Sequence, residues 1–342
     1  VADIAGLAAA AALLALINQQ PDVQAEAVAY FRWRVVSLVA VAMIFCFRGY
    51  WNGIQQTGIY LRIILAMHAI NVAASLTLIF GYFGLPAMGP AGAGAGTTLS
   101  LFAGLAIWAL LSARHARTSG FLAGLPRRLT FATTLRLATP HSFQQLWFAA
   151  GYAVLFWILG QIDTRSVAVG HVLVNLSLLL TLPGVGLGMA AMSLVGEALG
   201  RAAHQDGHRW GWEVVHLAWL CLAALALPMA LFPEVVLGLF LHDPALVELG
   251  RLPLQLTALM IVLDAAALVL AQALLGAGAN RTVMTTTVGL QWLVFLPLAW
   301  WVGVGLEQGL LGIWWVQLGY RCLNSAWFAA IWQRRRWQAL QI

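Results

Sequence analysis

Long apolar segments recur along this chain, and they restrict its fold more than any other feature. Each is at least 18 residues long, enough to cross a hydrocarbon core of about 30 Å as a helix. The chain is 62% hydrophobic and only 9% charged, whereas a soluble domain has about 25% charged residues. We therefore predict an all-α polytopic membrane protein. Its predicted spans are residues 30–51, 59–80, 92–113, 143–162, 168–193, 212–232, 250–275, 283–303 and 310–333, with residues 1–17 as a tenth, partial span.

The second half of the chain repeats the first. Pro21 and Pro244 each close an apolar stretch and lie 223 positions apart. Gly53 and Gly276 each begin a polar break after an apolar segment, with the same separation of 223. Paired repeats in a membrane protein are typical of secondary transporters, whose substrate site lies between the two halves. The repeat therefore predicts two pseudo-symmetric helical lobes.

The repeat also predicts the boundaries of these lobes. Residues 1–113 form a partial N-lobe, residues 114–142 a cytoplasmic linker rich in Gly, Pro and Arg, and residues 143–342 a complete C-lobe of six spans. By the offset of 223, residues 1–17 correspond to residues 224–240, the end of the third span of the second lobe. We therefore expect the first helices of the N-lobe, on the order of 80 residues at about 20 per span, to precede Val1.

The distribution of arginine predicts the orientation in the membrane. All 18 basic residues are Arg, and 13 of them fall in loops on one side if residues 18–29 lie outside, against four on the other side. Basic loops face the cytoplasm. We therefore expect a multi-pass protein of the cell inner membrane with a cytoplasmic carboxyl terminus. The net charge of +6 then reflects topology, and no basic stripe indicates a nucleic-acid partner.

Known motifs for catalysis or cofactor binding are absent from the sequence. The sequence has no HExxH, no nucleophile elbow and no P-loop, each of which would place defined catalytic or phosphate-binding groups. The three cysteines have no metal-ligand spacing. The glycine run Gly184–Gly188 follows Pro183 within an apolar span, where close helix packing or a kink explains it better than a dinucleotide loop. We expect no enzyme, no cofactor and no catalytic residues.

Asp264 is the most informative polar residue. It is the thirteenth of the 24 residues from Leu252 to Leu275 and so lies near the bilayer midplane. An ionised Asp there costs about 2.5–3.5 kcal/mol, and Arg251 and Arg281 are too far along the same helix to contact it. Asp264 is therefore neutral, solvated in a cavity or paired with another helix. A role in proton or cation transfer and a structural role as a protonated carboxyl both remain open.

Other polar side chains within the predicted spans are candidates for lining a substrate cavity. They are Gln144, Gln145, His171, Asn175, His68, Asn71 and Gln291. The His171–Asn175 pair has i, i+4 spacing and the His68–Asn71 pair has i, i+3 spacing, so each pair shares a helix face. These groups could equally hydrogen-bond neighbouring helices. Arg321 and Asn324, also i, i+3, lie in the last span, where Arg321 either extends to the interface or pairs with an acid on another helix.

Three groups of segments have the order and spacing of a known family. They are Gly170–Asn175 with Pro183–Gly186 and Val195–Gly200, then Ile70-Asn71 with Leu78–Gly81 and Gly84–Gly92, and then Leu263-Asp264 with Gly276–Thr282. They resemble, respectively, the seventh-to-eighth helix region, the fifth and sixth helices, and the tenth helix with its following loop in the multidrug and toxic compound extrusion (MATE) family.

The resemblance implies a fold of two six-helix bundles around a central cavity, with drug efflux coupled to inward Na⁺ or H⁺. Residues 1–113 would then run from the end of helix 3 to helix 6, and residues 143–342 would be helices 7–12. Asp264 falls where the NorM-like bacterial branch has an Asp implicated in cation coupling. Gln144 and Gln145 lie near a position where that branch often has a Glu, and an amide cannot titrate.

We therefore expect a cation-coupled antiporter that exports amphipathic, cationic drugs or toxic organic compounds across the cell membrane. Asp264 would couple the ion, either H⁺ or Na⁺, and Na⁺ at Asp264 would be the sole metal. The expected partners are drug-like small molecules and the lipid bilayer, and the expected state is a monomer. A flippase for lipid-linked oligosaccharides is the alternative, and it would need several basic residues in its cavity. A membrane-embedded enzyme is a further alternative, for which no catalytic cluster is visible.

Overall fold

The computed structural model describes residues 21–54, 56–115, 121, 124, 128–335 and 337. All regular structure in these ranges is helical. The chain divides into two compact units, Val1–Pro126 and Arg127–Ile342. The predicted partial span at residues 1–17 lies outside the described residues.

The first unit contains three long helices. They are α1 (Pro21–Gly53), α2 (Thr57–Phe80) and α3 (Pro90–His115), and α3 packs against both of the others. Helix α2 ends at Gly81, which has a φ of 73°. A Cβ atom at this residue would lie 2.7 Å from the carbonyl oxygen of Leu85, so only glycine allows both the left-handed turn and the close return of the chain.

The second unit is built from longer helices and contains the only π-helical segments of the described chain. Its helices are α4 (Arg128–Gly160), α5 (Thr164–Gly200), α6 (His204–Leu231), α7 (Pro233–Gly238), α8 (Pro244–Gly276), α9 (Asn280–Gly289), α10 (Leu296–Trp300) and α11 (Gly309–Gln333). Two π-helical segments, Leu290–Phe295 and Trp301–Gly305, flank α10. Together with α9 they make one continuous span that is locally underwound twice.

Helix α8 is the centre of this unit, because it packs against α5, α6 and α11. Small residues let α5 and α8 approach closely. A Cβ atom on Gly276 would lie 2.3 Å from the carbonyl oxygen of Met192, and one on Gly188 would lie 2.8 Å from the Gln272 side chain. The glycine run after Pro183 therefore serves helix packing, as the sequence predicts, and α5 continues through it.

Helical residues lie at both ends of the expected linker at residues 114–142. Helix α4 begins at Arg128, so the second half of that stretch is helical, and the two units divide between Pro126 and Arg127. The apolar run that marks a membrane span gives only the part of a helix that lies in hydrocarbon. Helix α4 extends beyond it through Arg136 and accommodates Pro140 in its interior.

Eight helical segments of the described chain are long and apolar enough to cross a membrane. They coincide with the first eight predicted spans, and α9 through the second π-helical segment counts as one of them. The ninth predicted span is the helix α11, which is 25 residues long but is not among the eight. It contains Gln317, Arg321 and Asn324, which lower its apolar character. The fold is that of an all-α, multi-span membrane protein.

Candidate functional site

Asp264 lies within α8 and is buried, with 3% of its surface exposed. Two side chains of α11 bind its carboxylate. Arg321 donates from Nη1 to Oδ2, and Asn324 donates from Nδ2 to Oδ1 over 3.2 Å. The ion pair with Arg321 is largely buried on both sides. The sequence leaves three environments open for Asp264, and in the structure it is paired with a residue of another helix.

The hydrogen bonds between α8 and α11 fix how these helices face each other. Trp314 donates from Nε1 to the hydroxyl of Thr257 over 2.8 Å. This contact lies about two helical turns before the contact of Arg321 with Asp264. Both contacts join residues that are 57 positions apart in the sequence. Because this separation stays the same from one contact to the next, the two helices run in the same direction. Ser325 adds a third contact on the far side of the pair, because its hydroxyl donates to the carbonyl of Leu263 over 2.6 Å.

A narrow cavity lies beside the Asp264 carboxylate. Its volume is about 10 Å³, close to the minimum that holds one water molecule. Four helices contribute polar groups to its wall, which include Tyr152 of α4, Ser177 of α5, Thr257 of α8 and Gln317 of α11. Asp264 and Arg321 complete the lining, so the cavity contains one acidic and one basic group that are bonded to each other.

A second narrow cavity, also about 10 Å³, is lined by Arg321 as well. Gln291, predicted as a candidate, lines it together with Gln317, Tyr320 and Arg321. Gln291 is the second residue of the first π-helical segment, and its Nε2 donates to the carbonyl of Phe148 over 3.4 Å. A π-helical turn often marks a functional position, and here it places the Gln291 amide within the unit.

Glycine makes room for this amide. A Cβ atom on Gly151 of α4 would lie 2.1 Å from Nε2 of Gln291, a distance that no side-chain carbon tolerates. The amide oxygens of Gln291 and Gln317 are both buried, and neither has a hydrogen-bond partner in the described part of the chain.

The structure does not bring the remaining candidates of the second unit to Asp264. His171 and Asn175 share a face of α5, as predicted, with 2.9 Å between Nδ2 of Asn175 and Nδ1 of His171. Both are exposed, and so is Gln145 on α4. Gln144 is half-buried. None of these four residues lines either of the two cavities beside Arg321.

His68 and Asn71 lie in the first unit, where both line a larger cavity of about 320 Å³ between α1, α2 and α3. Asn71 donates from Nδ2 to the hydroxyl of Thr97 over 3.2 Å, so it links α2 to α3. Arg48 and Tyr60 also line this cavity, and the Arg48 guanidinium lies 5.9 Å from the centre of the Tyr60 ring. This volume is at the lower end of the range for cavities that bind small molecules.

Sequence reasoning left the partners of Asp264 unassigned. It noted Arg321 and Asn324 as a pair but did not assign their partner, and it did not single out Gln317. One indication was present in the sequence. Asp264 and Arg321 are isolated opposite charges near the middle of two spans, and intramembrane charges pair with one another. No three His, Cys, Asp or Glu side chains within the described ranges come together as a metal-binding group.

Comparisons with known proteins agree on one family. The family model described as MatE matches residues 140–301. The chain is 26% identical over 302 residues to a probable multidrug resistance protein NorM of Thermotoga maritima, covering 87% of this chain and 64% of that protein. It is 28% identical over 321 residues to a probable NorM of Brucella suis, covering 87% and 65%. The chain thus spans somewhat less than two thirds of the length of these relatives.

Solved structures share the fold at lower sequence identity. A multidrug resistance MATE family transporter of the MOP superfamily in an outward-facing conformation superposes with a TM-score of 0.87 at 17% identity, covering 98% of this chain and 75% of that one. A MOP superfamily transporter from Pyrococcus furiosus gives 0.85 at 16% identity, with the same coverage. The family model over residues 140–301, the sequence relatives and the shared fold all show similarity to the multidrug and toxic compound extrusion family, with NorM-like proteins among the relatives.

Proposed function

We propose that this chain acts in the efflux of drug-like small molecules from the cell, driven by the inward movement of H⁺ or Na⁺. Its relatives are named as multidrug resistance proteins, and its family is one of transporters. The transported compounds would be amphipathic and cationic. An enzyme is not proposed, because the relatives are transporters and the described site is an ion pair within apolar helices.

The observation that supports this proposal best is the position of Asp264. It is a buried carboxylate in the most enclosed of the candidate membrane spans. Acidic residues in such places are costly, and they usually mark ion or substrate pathways. In an antiporter, the coupling ion must bind one conformation more tightly than the other, because otherwise it cannot shift the equilibrium between them. A carboxylate whose cationic partner can change provides that difference in affinity.

The lining of the two cavities at Asp264 supports export of organic molecules rather than the flipping of lipid-linked sugars. A flippase cavity needs basic groups that remain available for a diphosphate. In the second unit, Arg321 is the arginine that lines the cavities at Asp264, and its charge is balanced by that carboxylate. Tyr152, Met260 and Trp314 supply aromatic and apolar surface beside it. A drug efflux role is therefore the better supported of the two.

The remaining parts of the proposal concern the cellular setting. We propose an inner-membrane protein with a cytoplasmic carboxyl terminus, because the arginines concentrate in the loops that this orientation places inside. A monomer is proposed, since each unit packs around its own helices. No cofactor beyond the coupling ion is invoked. We propose that the substrate contacts six polar side chains, which are those of His171, Asn175, Gln144, Gln145, His68 and Asn71.

The substitution Asp264→Asn tests the proposal in cells. An amide keeps the size and the hydrogen bond with Asn324 but removes the negative charge. We expect normal amounts of protein in the membrane, with a loss of ethidium efflux driven by a pH or Na⁺ gradient. Asp243→Asn is the matched control, because Asp243 caps the same helix by accepting from the backbone of Ala245, and Asn caps equally well. Efflux by Asp264→Asn at the parental rate would refute the role of Asp264, and absence of efflux by the parent would refute the function.

A further inference from the structure

Arg321 lines both narrow cavities of the second unit. In the first cavity it contacts the carboxylate of Asp264, and in the second it lies beside Gln291, while Gln317 lines both cavities. It is the thirteenth residue of the 25 in α11, so about 18 Å of helix separates it from either end at 1.5 Å per residue. An arginine side chain cannot extend that far to the membrane interface, and its guanidinium must stay among these groups.

The second cavity provides acceptors for such a group. The amide oxygens of Gln291 and Gln317 are buried and have no hydrogen-bond partner among the described residues. The whole residues are 5% and 7% exposed. A buried acceptor without a donor is unfavourable. A guanidinium has five N–H donors in a fixed plane, so it matches two amide oxygens better than a single donor would.

The first cavity explains why Arg321 would need a second position. Asp264 is bonded by Arg321 and Asn324 on its two oxygens, so a cation that binds this carboxylate competes with the guanidinium. Displacing Arg321 without providing acceptors would leave a buried, unpaired charge, which is strongly destabilising. The adjacent cavity with two unpartnered amide oxygens removes that obstacle.

We propose that Arg321 is a built-in competitor of the coupling cation. In the cation-free state its guanidinium neutralises Asp264. When a monovalent cation binds Asp264, the guanidinium moves to the neighbouring cavity, where Gln291 and Gln317 accept its hydrogen bonds. This inference rests on the proposed function in one respect, which is the identification of the bound cation as the coupling ion. The movement of the Arg321 guanidinium between Asp264 and the two amides depends on cation binding alone.

Sodium binding to the purified full chain in lipid nanodiscs tests this exchange without any transport. We expect Arg321→Gln to bind ²²Na⁺ at least tenfold more tightly than the parent, because the competitor is gone. The double substitution Gln291→Leu with Gln317→Leu should weaken Na⁺ binding several-fold in the parent, because the displaced guanidinium loses its acceptors. The same pair of substitutions should have no effect in the Arg321→Gln background.

This pattern is specific, because residues that act through one another give non-additive effects. Equal weakening by the two Leu substitutions in both backgrounds would mean that the amides bind the cation directly, and it would overturn the proposal. So would Na⁺ binding by Arg321→Gln that is no tighter than Na⁺ binding by the parent.

A second variant covers the case in which Arg321→Gln fails to fold. Arg321→Lys keeps the charge but loses the planar fork of donors, and we expect it to raise Na⁺ affinity less than Gln does but in the same direction. Unchanged or weaker Na⁺ binding in Arg321→Lys would overturn the proposal. A result of this kind is distinguishable from failure of the proposed function, which would appear as absence of efflux while Na⁺ binding keeps the expected pattern.

Discussion

Arg321 donates a hydrogen bond to the carboxylate of Asp264 across the interface between α11 and α8, and both side chains are largely buried. Each charge alone would be costly within a membrane span. Together they form a neutral unit that also specifies the register of the two helices. Such a pair need not stabilise the fold relative to apolar residues, but removing one partner leaves an uncompensated charge.

The ion pair predicts an unequal response to single and double substitutions. Arg321→Met should lower the free energy of unfolding by about 3–5 kcal/mol, because Asp264 is left unpaired. The double variant Asp264→Leu with Arg321→Met should recover most of that loss, because it replaces both charges by apolar groups. Denaturant unfolding in detergent micelles measures both values.

An exposed ion pair of the same unit gives the matched control. Arg251 contacts Glu234 over 3.2 Å, and both side chains are at least half exposed. Arg251→Met should therefore change the free energy of unfolding by no more than about 1 kcal/mol. A double variant at Asp264 and Arg321 that is less stable than Arg321→Met alone would contradict the account of the buried pair.

The sequence predicted the membrane spans well, because hydropathy over about 20 residues reflects the thickness of hydrocarbon directly. It also placed Asp264 near the middle of a span, and the residue lies within α8. It could not assign Arg321 as the partner, because that assignment needs the relative register of two helices separated by a whole span. The difference of 57 positions shared with the Thr257–Trp314 contact is visible only once the helices are packed.

Other parts of the site depend on local geometry that the sequence does not reveal. The π-helical segment at Leu290–Phe295 adds one residue per turn and so changes the direction in which Gln291 points. Its fit against Gly151 of α4 joins residues 140 positions apart. The start of α4 at Arg128 was also missed, because helical residues outside the hydrocarbon region need not be apolar.

The predicted orientation can be tested with two glycines at the ends of neighbouring helices. Gly160 ends α4 and Gly200 ends α5, both are exposed, and a Cβ atom at either would meet nothing within 4 Å. Cysteine should therefore be tolerated at both positions once Cys46, Cys221 and Cys322 are replaced. We expect an impermeant thiol reagent to label Gly160→Cys in intact cells and to leave Gly200→Cys unlabelled.

The two variants are controls for each other, because opening the cells should make both thiols reactive. The reverse pattern in intact cells would place the arginine-rich loops outside and would contradict the cytoplasmic carboxyl terminus.

The contact between α4 and the π-helical segment predicts a steric effect at Gly151. Gly151→Ala places a methyl group 2.1 Å from the present position of Gln291 Nε2, and overpacking of this kind costs about 1–3 kcal/mol. We expect a correspondingly lower melting temperature. Gly160→Ala on the same helix should have a small effect, because its methyl group would meet no neighbour.

Truncating the partner distinguishes a clash from a general effect of the methyl group. Gln291→Ala combined with Gly151→Ala should be more stable than the sum of the two single changes predicts, because the methyl group then occupies the space that the amide leaves. Strict additivity would show that Gly151 does not accommodate Gln291.

The start of α5 predicts a pH-dependent contribution to stability. Asp163 is the N-cap residue, and its carboxylate accepts from the backbone N–H of Ser166. This hydrogen bond, with smaller contributions from the Ser166 hydroxyl and the charge of Arg165, lowers the pKa of Asp163 below its ordinary value. Asp163→Ala should cost roughly 1 kcal/mol at neutral pH, the usual value for a lost N-cap.

The lowered pKa fixes the direction of the pH effect. The folded state favours the ionised carboxyl, so the contribution of Asp163 is complete above the pKa of the unfolded chain, about 3.9 for Asp, and is lost as the pH falls through the lower pKa of the folded state. The difference in melting temperature between the parent and Asp163→Ala should therefore be constant near neutral pH and shrink on acidification. Asp163→Asn, which still caps but does not titrate, should differ from Asp163→Ala by a constant amount over the same range. A penalty for Asp163→Ala that grows as the pH falls would contradict the N-cap interaction as the source of the effect.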